Sequence, residues 1–553
     1  MFNLSTLFPY SFDKKYSKSV AYFSMEFALD QPLKIYSGGL GFLAGSHMRS
    51  AYELQQNMIG IGILWKKGYY DQERNQDQTL KVTFRDKDYS FLEDTGIVFP
   101  ITIHGARVYV KAVLLRPEVF KTAPVFLLTT DITENDFLAQ TISHRLYDPN
   151  ETTRIAQSIL LGVGGAKLLD VLERQTDIYH MNEGHALPLC FYLMDKFNDL
   201  EKVKKRVVFT THTPEKAGNE EHSVPLLNGM SFFNGITVDQ INKLVAPENG
   251  TLNYTLTALR MAKKANAVSR IHGDVSRKMW CGYEGICEIT SITNAQNKTY
   301  WQDPELEKAL TLADDQALAA RKKKLKYKLF RVVANQTGKL FNPDALTLVW
   351  ARRFAGYKRA NLLLSDFDRF LKIANNKKYP VQFIWAGKPY PEDFSAINIF
   401  NEIYWKTKDL KNCTVLTGYE LWLSGHLKKG SDLWLNNPRM YHEASGTSGM
   451  TAAMNGSINL SIPDGWVPEF SKHGKNCFTI EKAADALSQE ERDRVEAKNL
   501  YDLLENEIMP MYYDSPSKWL KIVKGGMRDV LPLFDSGRMA TEYYEQMYLP
   551  EGK

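Results

Sequence analysis

Arg353 and Lys358 lie close together in Arg352-Arg353-Phe354-Ala355-Gly356-Tyr357-Lys358-Arg359, directly after the apolar run Leu346–Trp350. Further on, a second short apolar run leads into Glu443-Ala444-Ser445-Gly446-Thr447-Ser448-Gly449 and then a helix-capable stretch, Met450–Met454. A guanidinium and an ammonium supply charge-assisted donors, and a glycine-rich turn entering a helix can aim backbone N–H groups at an anion. The chemistry of that set is the holding of a phosphate. Ser37-Gly38-Gly39-Leu40-Gly41 is a second glycine turn able to approach such an anion. Glu443 suits either sugar hydroxyls or a helix cap. His212, after Val207–Thr210, can face a reacting sugar or simply satisfy a local hydrogen bond. Asn182, Glu183 and His185 read as a polar cluster that orders loops, and Lys388 fits both a structural and a binding role. No His-x-x-x-His or Asp/His set has the spacing of metal ligands.

These residues need elements to position them. Ile178–His180, Val207–Thr210, Leu346–Trp350, Val381–Trp385, Thr414–Leu416 and Asp432–Leu435 are short apolar runs that read as buried strands. Between them lie helical stretches such as Arg154–Leu169 and the charged Lys308–Ala334, with Leu487–Leu504 later in the chain. Alternation of this kind is α/β, and in open α/β sheets ligands bind beyond the carboxyl ends of strands, where the polar and glycine-rich segments fall. A chain of 553 residues exceeds one compact core, so two doubly wound units are expected, joined near the polar stretch 294–299. Apolar residues at 44% and charged residues at 24% exclude fibrous and disordered classes. A net charge of +5 points to neither nucleic acid nor membrane. Five scattered cysteines without a Cys-x-x-Cys pair read as reduced thiols. Met1–Leu4 lacks leader character and no window has the length of a membrane span, so a cytoplasmic protein is expected.

The motifs resemble those of the α-glucan (glycogen, starch, maltodextrin) phosphorylases, especially their short bacterial branch. The matching stretches are residues 35–45, 179–185, 209–214, 275–280, 351–359, 434–439 and 443–450, in family order. The resemblance implies a glycosyltransferase of the GT-B type, with two Rossmann-like domains and an active-site cleft between them. It also implies roles. Gly38, Gly39 and Gly41 form the glycine loop at the sugar phosphate; His212 lies beside the transferred glucosyl unit; Arg353 and Lys358 bind phosphate, with Arg352 a basic neighbour of the cofactor phosphate. Glu443, Ser445, Gly446 and Thr447 hold the sugar. Family enzymes continue Gly-Met with a lysine that forms a Schiff base with pyridoxal phosphate, whereas here Gly449-Met450 is followed by Thr451. A hydroxyl cannot form that link. In the family the cofactor's phosphate serves catalysis, so phosphorolysis is what this change endangers. Smaller departures are Ser46, where Asp is common, and Ala295-Gln296-Asn297, where Gly-Val-His is usual; both concern local sugar contacts.

The expected organisation is an N-terminal domain over 1–290 on the acceptor side, a C-terminal domain over 291–510 on the donor side, and helices over 511–553 returning to the first. The leading expectation is a retaining α-glucosyltransferase with a nucleoside-diphosphate sugar donor, an α-glucan or related acceptor, no cofactor and no metal. One alternative is an α-glucan phosphorylase with noncovalent pyridoxal phosphate, forming glucose 1-phosphate. Another is an inactive glucan-binding or regulatory member. A homodimer is compatible with the family.

Overall fold

The computed structural model describes residues 6–549; Met1–Leu4, read above for leader character, lie outside the described residues. The chain forms two compact units, and each is discontinuous in sequence. The first holds Met1–Tyr70, Phe84–Asn297 and Ser536–Lys553; the second holds Asp71–Thr83 and Lys298–Asp535.

The strands, in chain order, are β1 (Val20–Ser24), β2 (Met58–Ile63), β3 (Asp71–Arg74), β4 (Leu80–Thr83), β5 (Glu93–Ile103), β6 (Ala106–Leu115), β7 (Val125–Thr129), β8 (Ile178–Asn182) and β9 (Val207–Thr210). They continue with β10 (Glu221–Ser223), β11 (Thr251–Asn253), β12 (Lys264–Ala267), β13 (Glu288–Ser291), β14 (Leu346–Ala351), β15 (Val381–Ala386), β16 (Cys413–Leu416), β17 (Leu433–Asn436), β18 (Ile458–Ser461) and β19 (Cys477–Thr479). In the first unit one sheet runs β13-β12-β9-β8-β1-β2-β7-β6-β5. It is parallel from β13 to β7, and only β6 and β5 are antiparallel. In the second unit six parallel strands run β16-β15-β14-β17-β18-β19.

β1, β8, β14 and β17 are buried along their whole length, as expected of strands covered on both faces. Both parallel sheets follow one winding rule. From a central strand the chain first fills one side, outward in the second sheet but through β5, β6 and β7 from the edge inward in the first, then returns to the centre and adds strands outward on the other side. The return falls between β1 and β8 in the first sheet and between β14 and β17 in the second. Crossovers leave in opposite directions at these points, which opens a crevice at the carboxyl ends.

The helical stretch expected over Arg154–Leu169 is present, within a longer run, Glu151–Val171. Other expectations are corrected. Lys308–Ala334 is not one helix: Pro304–Thr311 ends and Asp315–Thr337 begins around Ala313, which has φ 53°, with Asp314 capping the new helix through Ala317 N–H. The joint falls between Asn297 and Lys298, within the polar stretch expected to hold it though past the expected domain boundary at residue 290, and the helix Pro516–Phe534 stays with the second unit. Only the segment from Ser536 returns to the first. There Tyr543, Tyr544 and Tyr548 are buried, and Tyr548 Oη pairs with His180 Nδ1 at 2.6 Å. The β3–β4 hairpin, expected with the first domain, belongs to the second. Gln72 Nε2 donates to Gly387 O at 2.7 Å, Gln72 Oε1 accepts from Gly418 N–H at 2.9 Å, and Leu80 N–H reaches Asn401 Oδ1 at 2.9 Å. Among the described residues no helix is long and apolar enough to cross a membrane, and no cluster of His, Cys, Asp and Glu has the makings of a metal site.

Candidate active site

In the second unit the loops after β14 and β17 meet at the switch point and lock together. Trp350 Nε1 donates to Asn437 Oδ1 at 3.0 Å, Arg359 Nε to Asn437 O at 2.9 Å, and Asn437 Nδ2 to Arg359 O at 2.9 Å. Arg439 N–H closes the set on Tyr357 O at 2.8 Å. This lock brings Arg352, Arg353 and Lys358 to Glu443. Lys358 Nζ lies 2.9 Å from Glu443 Oε2 and 3.2 Å from Oε1, and Arg352 Nη2 lies 3.1 Å from Oε2. Arg352 and Lys358 are buried, while Arg353 is exposed. Burial acts to raise the Glu443 carboxyl, but the charges of Lys358, Arg352 and Arg353 override it and hold the group below its ordinary range. Glu443 is therefore no helix cap; the short helix Ser448–Met454 begins after Thr447, whose side chain makes no cap hydrogen bond.

Arg352 Nε and Nη1 and Ser445 Oγ are buried without a hydrogen-bond partner. Buried donors of this kind are rare in folded chains, because each loses its water without replacement. The backbone around them is crowded. Gly446 has φ 88°, and a Cβ there would stand 3.6 Å from Arg352 Nη2. A Cβ at Gly387, φ 149°, would stand 1.8 Å from Arg352 O.

Asp464, which sequence reasoning missed, braces the loop from below. Its Oδ2 accepts Glu443 N–H at 3.0 Å and its Oδ1 accepts Gly465 N–H at 2.9 Å. Burial pushes its carboxyl up to about 7, against those backbone bonds, and the Glu443 charge adds to the rise. Thr451 is fully buried one turn into the helix, with Oγ1 donating to Ser448 O at 3.0 Å. Lys388 is structural here: its Nζ pairs with Glu420 Oε1 at 3.0 Å.

In the first unit Gly38 precedes the helix Gly39–Glu53. The first amides of a helix have no intrahelical acceptor. Beneath the turn lies Glu26, also missed by the sequence reading, and 2% exposed. Its Oε2 accepts Ser37 N–H at 2.7 Å and Gly38 N–H at 3.1 Å; its Oε1 accepts Ser37 Oγ at 2.9 Å and Tyr147 Oη at 2.7 Å. A Cβ at Gly41 would fall 2.8 Å from Glu26 Oε2, whereas one at Gly39 would meet nothing within 4 Å.

At the next strand end, His212 Nε2–H donates to Asn182 Oδ1 at 2.7 Å, which leaves Nδ1 as the ring's acceptor. Its backbone N–H donates to Glu183 Oε2 at 2.7 Å. Burial pushes the imidazole down to about 3, so it is neutral. Asn182 and Glu183 thus order the loop, in line with the structural reading, and what they order is His212. Glu183 is held at φ 74°, a conformation uncommon for a residue with a side chain, and its carboxylate also accepts from Gly184 N–H and Thr213 Oγ1. Ser46 and Gln296 hydrogen-bond to each other at 3.0 Å and are buried.

In the second unit, a carboxylate held among cations and orphaned buried donors at a switch point form a cradle whose chemistry suits an anion. The carbohydrate phosphorylase family matches residues 274–509. A maltodextrin phosphorylase of Thermococcus litoralis is 32% identical over 97% of this chain and 71% of its own length. A glycogen phosphorylase of Aquifex aeolicus is 31% identical over 97% of this chain and 87% of its own. An uncharacterized protein of Methanocaldococcus jannaschii is 48% identical over 96% of this chain and its whole length. The chain belongs to the carbohydrate phosphorylase family.

Proposed function

We propose that this family member transfers an α-glucosyl unit, with retention, from a nucleoside-diphosphate sugar to an α-glucan or related acceptor, and does so without covalently bound pyridoxal phosphate. One observation carries the reading: an anion cradle has unused buried donors, Arg352 Nε and Nη1 and Ser445 Oγ; beside it, the helix Ser448–Met454 carries Thr451 at the position where the family resemblance leads one to expect an amine. The cradle fits the phosphate of pyridoxal phosphate, but its aldehyde would meet a hydroxyl already donating to Ser448 O. A diphosphate donor brings its own second phosphate to the same donors. In this reading Arg353 and Lys358 hold the departing diphosphate as charge develops on it, and Glu443, kept ionised by its cations, accepts hydrogen bonds from sugar hydroxyls. His212, neutral and fixed by Asn182, offers Nδ1 to a sugar hydroxyl.

A second reading is phosphorolysis of α-glucan with pyridoxal phosphate bound noncovalently. It is favoured by the 32% identity to a maltodextrin phosphorylase across nearly the whole chain. Bound there, the cofactor would supply a phosphate able to exchange a proton with inorganic phosphate. Assays of the purified protein with UDP- or ADP-glucose plus maltooligosaccharide, and separately with glucose 1-phosphate with and without added pyridoxal phosphate, distinguish the two. Elongation from the nucleotide sugar alone is expected. Turnover of glucose 1-phosphate that depends on added pyridoxal phosphate overturns the first reading in favour of the second; glucan binding without turnover overturns both.

A further inference from the structure

We propose that the second unit carries a separate binding pocket for a small phosphate ester bearing a ring with an apolar face, which stacks on Trp422 while its phosphate lies between Lys328 and Lys429. The pocket measures about 310 Å³ and is lined by residues of three helices, Lys298–Trp301, Asp315–Thr337 and Leu421–Gly430. It shares no lining residue with the cradle around Arg352 and Glu443, and the inference stands apart from the proposed transfer reaction.

Trp422 is 51% exposed, unusual for so large an apolar ring, and it lines this cavity. Its position is fixed. His426 lies one turn along the helix with ring centroids 4.2 Å apart, and His426 Nδ1–H donates to Trp422 O at 2.9 Å. On the opposite wall Trp301 is held by buried Lys428, whose ammonium sits 3.8 Å from the ring centroid.

The charge of the pocket is one-sided. Lys328 and Lys429 both line it, and among the described residues neither makes an ion pair. The one carboxylate in the lining, Asp303, is engaged elsewhere: Arg321 donates to it from Nε at 2.9 Å and Nη2 at 2.7 Å, and it caps Glu305 and Leu306 N–H. Burial holds Lys429 below its ordinary range; Asp303 opposes this, and the charges of Arg321 and Lys328 add to it. His426 is likewise lowered, first by burial and then, against its bond to Trp422 O, by Lys429 and Lys328. The positive charges of Lys328 and Lys429, which stand together at the pocket, favour an anion. The volume lies at the lower end of small-molecule sites, roughly 300–1,000 Å³. One ring and one phosphate fit that space; a glucan chain does not, and a neutral sugar would leave the lysines without a counter-charge. A nucleotide and a sugar phosphate share the required chemistry, because aromatic side chains accept both nucleobases and the apolar face of a pyranose.

Titration calorimetry uses the full chain carrying Arg353→Ala, which weakens the contribution of the cradle, and heat that the pocket variants Trp422→Ala and Lys429→Gln abolish is assigned to this pocket. The probes are AMP, UMP, glucose 6-phosphate, inorganic phosphate and maltose. Saturable binding of at least one ring-bearing ester is expected, at least ~10-fold tighter than inorganic phosphate, with no heat from maltose. Nucleotide binding without glucose 6-phosphate binding identifies a base-stacking site, and the converse a sugar-phosphate site. Trp422→Ala and Lys429→Gln are each expected to weaken that binding ~10-fold or more with an unchanged melting curve; Lys328→Gln provides an exposed substitution for the same comparison. Absence of heat from every ester overturns the proposal, as does affinity unmoved by all three variants, or maltose binding as tightly as the esters.

Discussion

The two switch points carry glycine-containing loops that settle their electrostatics in opposite ways. After β1, the buried Glu26 is surrounded by neutral donors, two backbone amides and two hydroxyls, and its oxygens are filled. After β14, three cations meet the single carboxylate of Glu443, and donors remain over. The first arrangement fixes backbone; the second leaves positive charge for a ligand. A glycine loop is thus no sign of anion binding until the partners of its amides are known, and at Ser37 and Gly38 those amides are already committed to Glu26.

The largest effect expected from this contrast is at Arg353. It is the exposed cation of the cradle, so Arg353→Ala should lower kcat/KM by roughly 100-fold or more, the scale of a lost transition-state donor, with little change in melting temperature. Activity within a few-fold of the parent would remove Arg353 from the machinery. Next in size is a glycine pair in the other unit. Gly41→Ala forces a Cβ to within 2.8 Å of Glu26 Oε2 and 2.7 Å of Tyr36 Cβ, so activity should fall at least ~10-fold, while Gly39→Ala, with open space, should change it less than ~3-fold. Equal effects in a steady-state assay would show that crowding under the loop is immaterial.

Glu26→Gln tests the same brace more gently. An amide offers one acceptor oxygen where the carboxylate offers two, so either the amides of Ser37 and Gly38 or the hydroxyls of Ser37 and Tyr147 lose their partner. A several-fold rise in KM with kcat nearly kept is expected if the brace shapes binding; a fall in kcat alone would contradict it.

The smallest effect is at Asp464. Its folded-state pKa of about 7 lies above the ordinary carboxyl value, so the folded chain holds a proton the unfolded chain has released. Its contribution to stability is therefore present at low pH and lost as pH rises from about 4 toward 7. Asp464→Asn should flatten the fall in melting temperature between pH 5 and 8, by an amount on the order of 1–2 kcal/mol. Parallel melting curves for parent and variant across that range would refute the assignment.

Much of this was legible in the sequence because strand-forming runs and the residues that follow them carry separate signals. Val207–Thr210 and Val381–Ala386 were visible as apolar runs, and Arg353, Lys358 and Glu443 stood out as charges beside glycine. Less visible were groups whose role depends on who their neighbours become. Glu26 is one acid within an apolar segment, and Asp464 sits in Pro463-Asp464-Gly465, which reads as an ordinary turn. The break at Ala313 carries neither glycine nor proline, so no local rule announced a left-handed residue there. The β3–β4 hairpin reads as a hairpin, but nothing in its own residues says that Gln72 will bind Gly387 and Gly418.

That hairpin and the C-terminal segment impose an order on how the protein is made. Residues 71–83 are made before the rest of the second unit that they join, and the first unit is completed by tyrosines that follow the whole of the second in the chain. Cutting the gene at the 297/298 boundary would therefore yield two incomplete pieces, one without its closing tyrosines and one without its hairpin. During synthesis, the part of the first sheet that Tyr543 and Tyr548 cover, at His180, Thr210 and Asn266, stays open until the second unit has been made, the interval in which a chaperone would have most to protect.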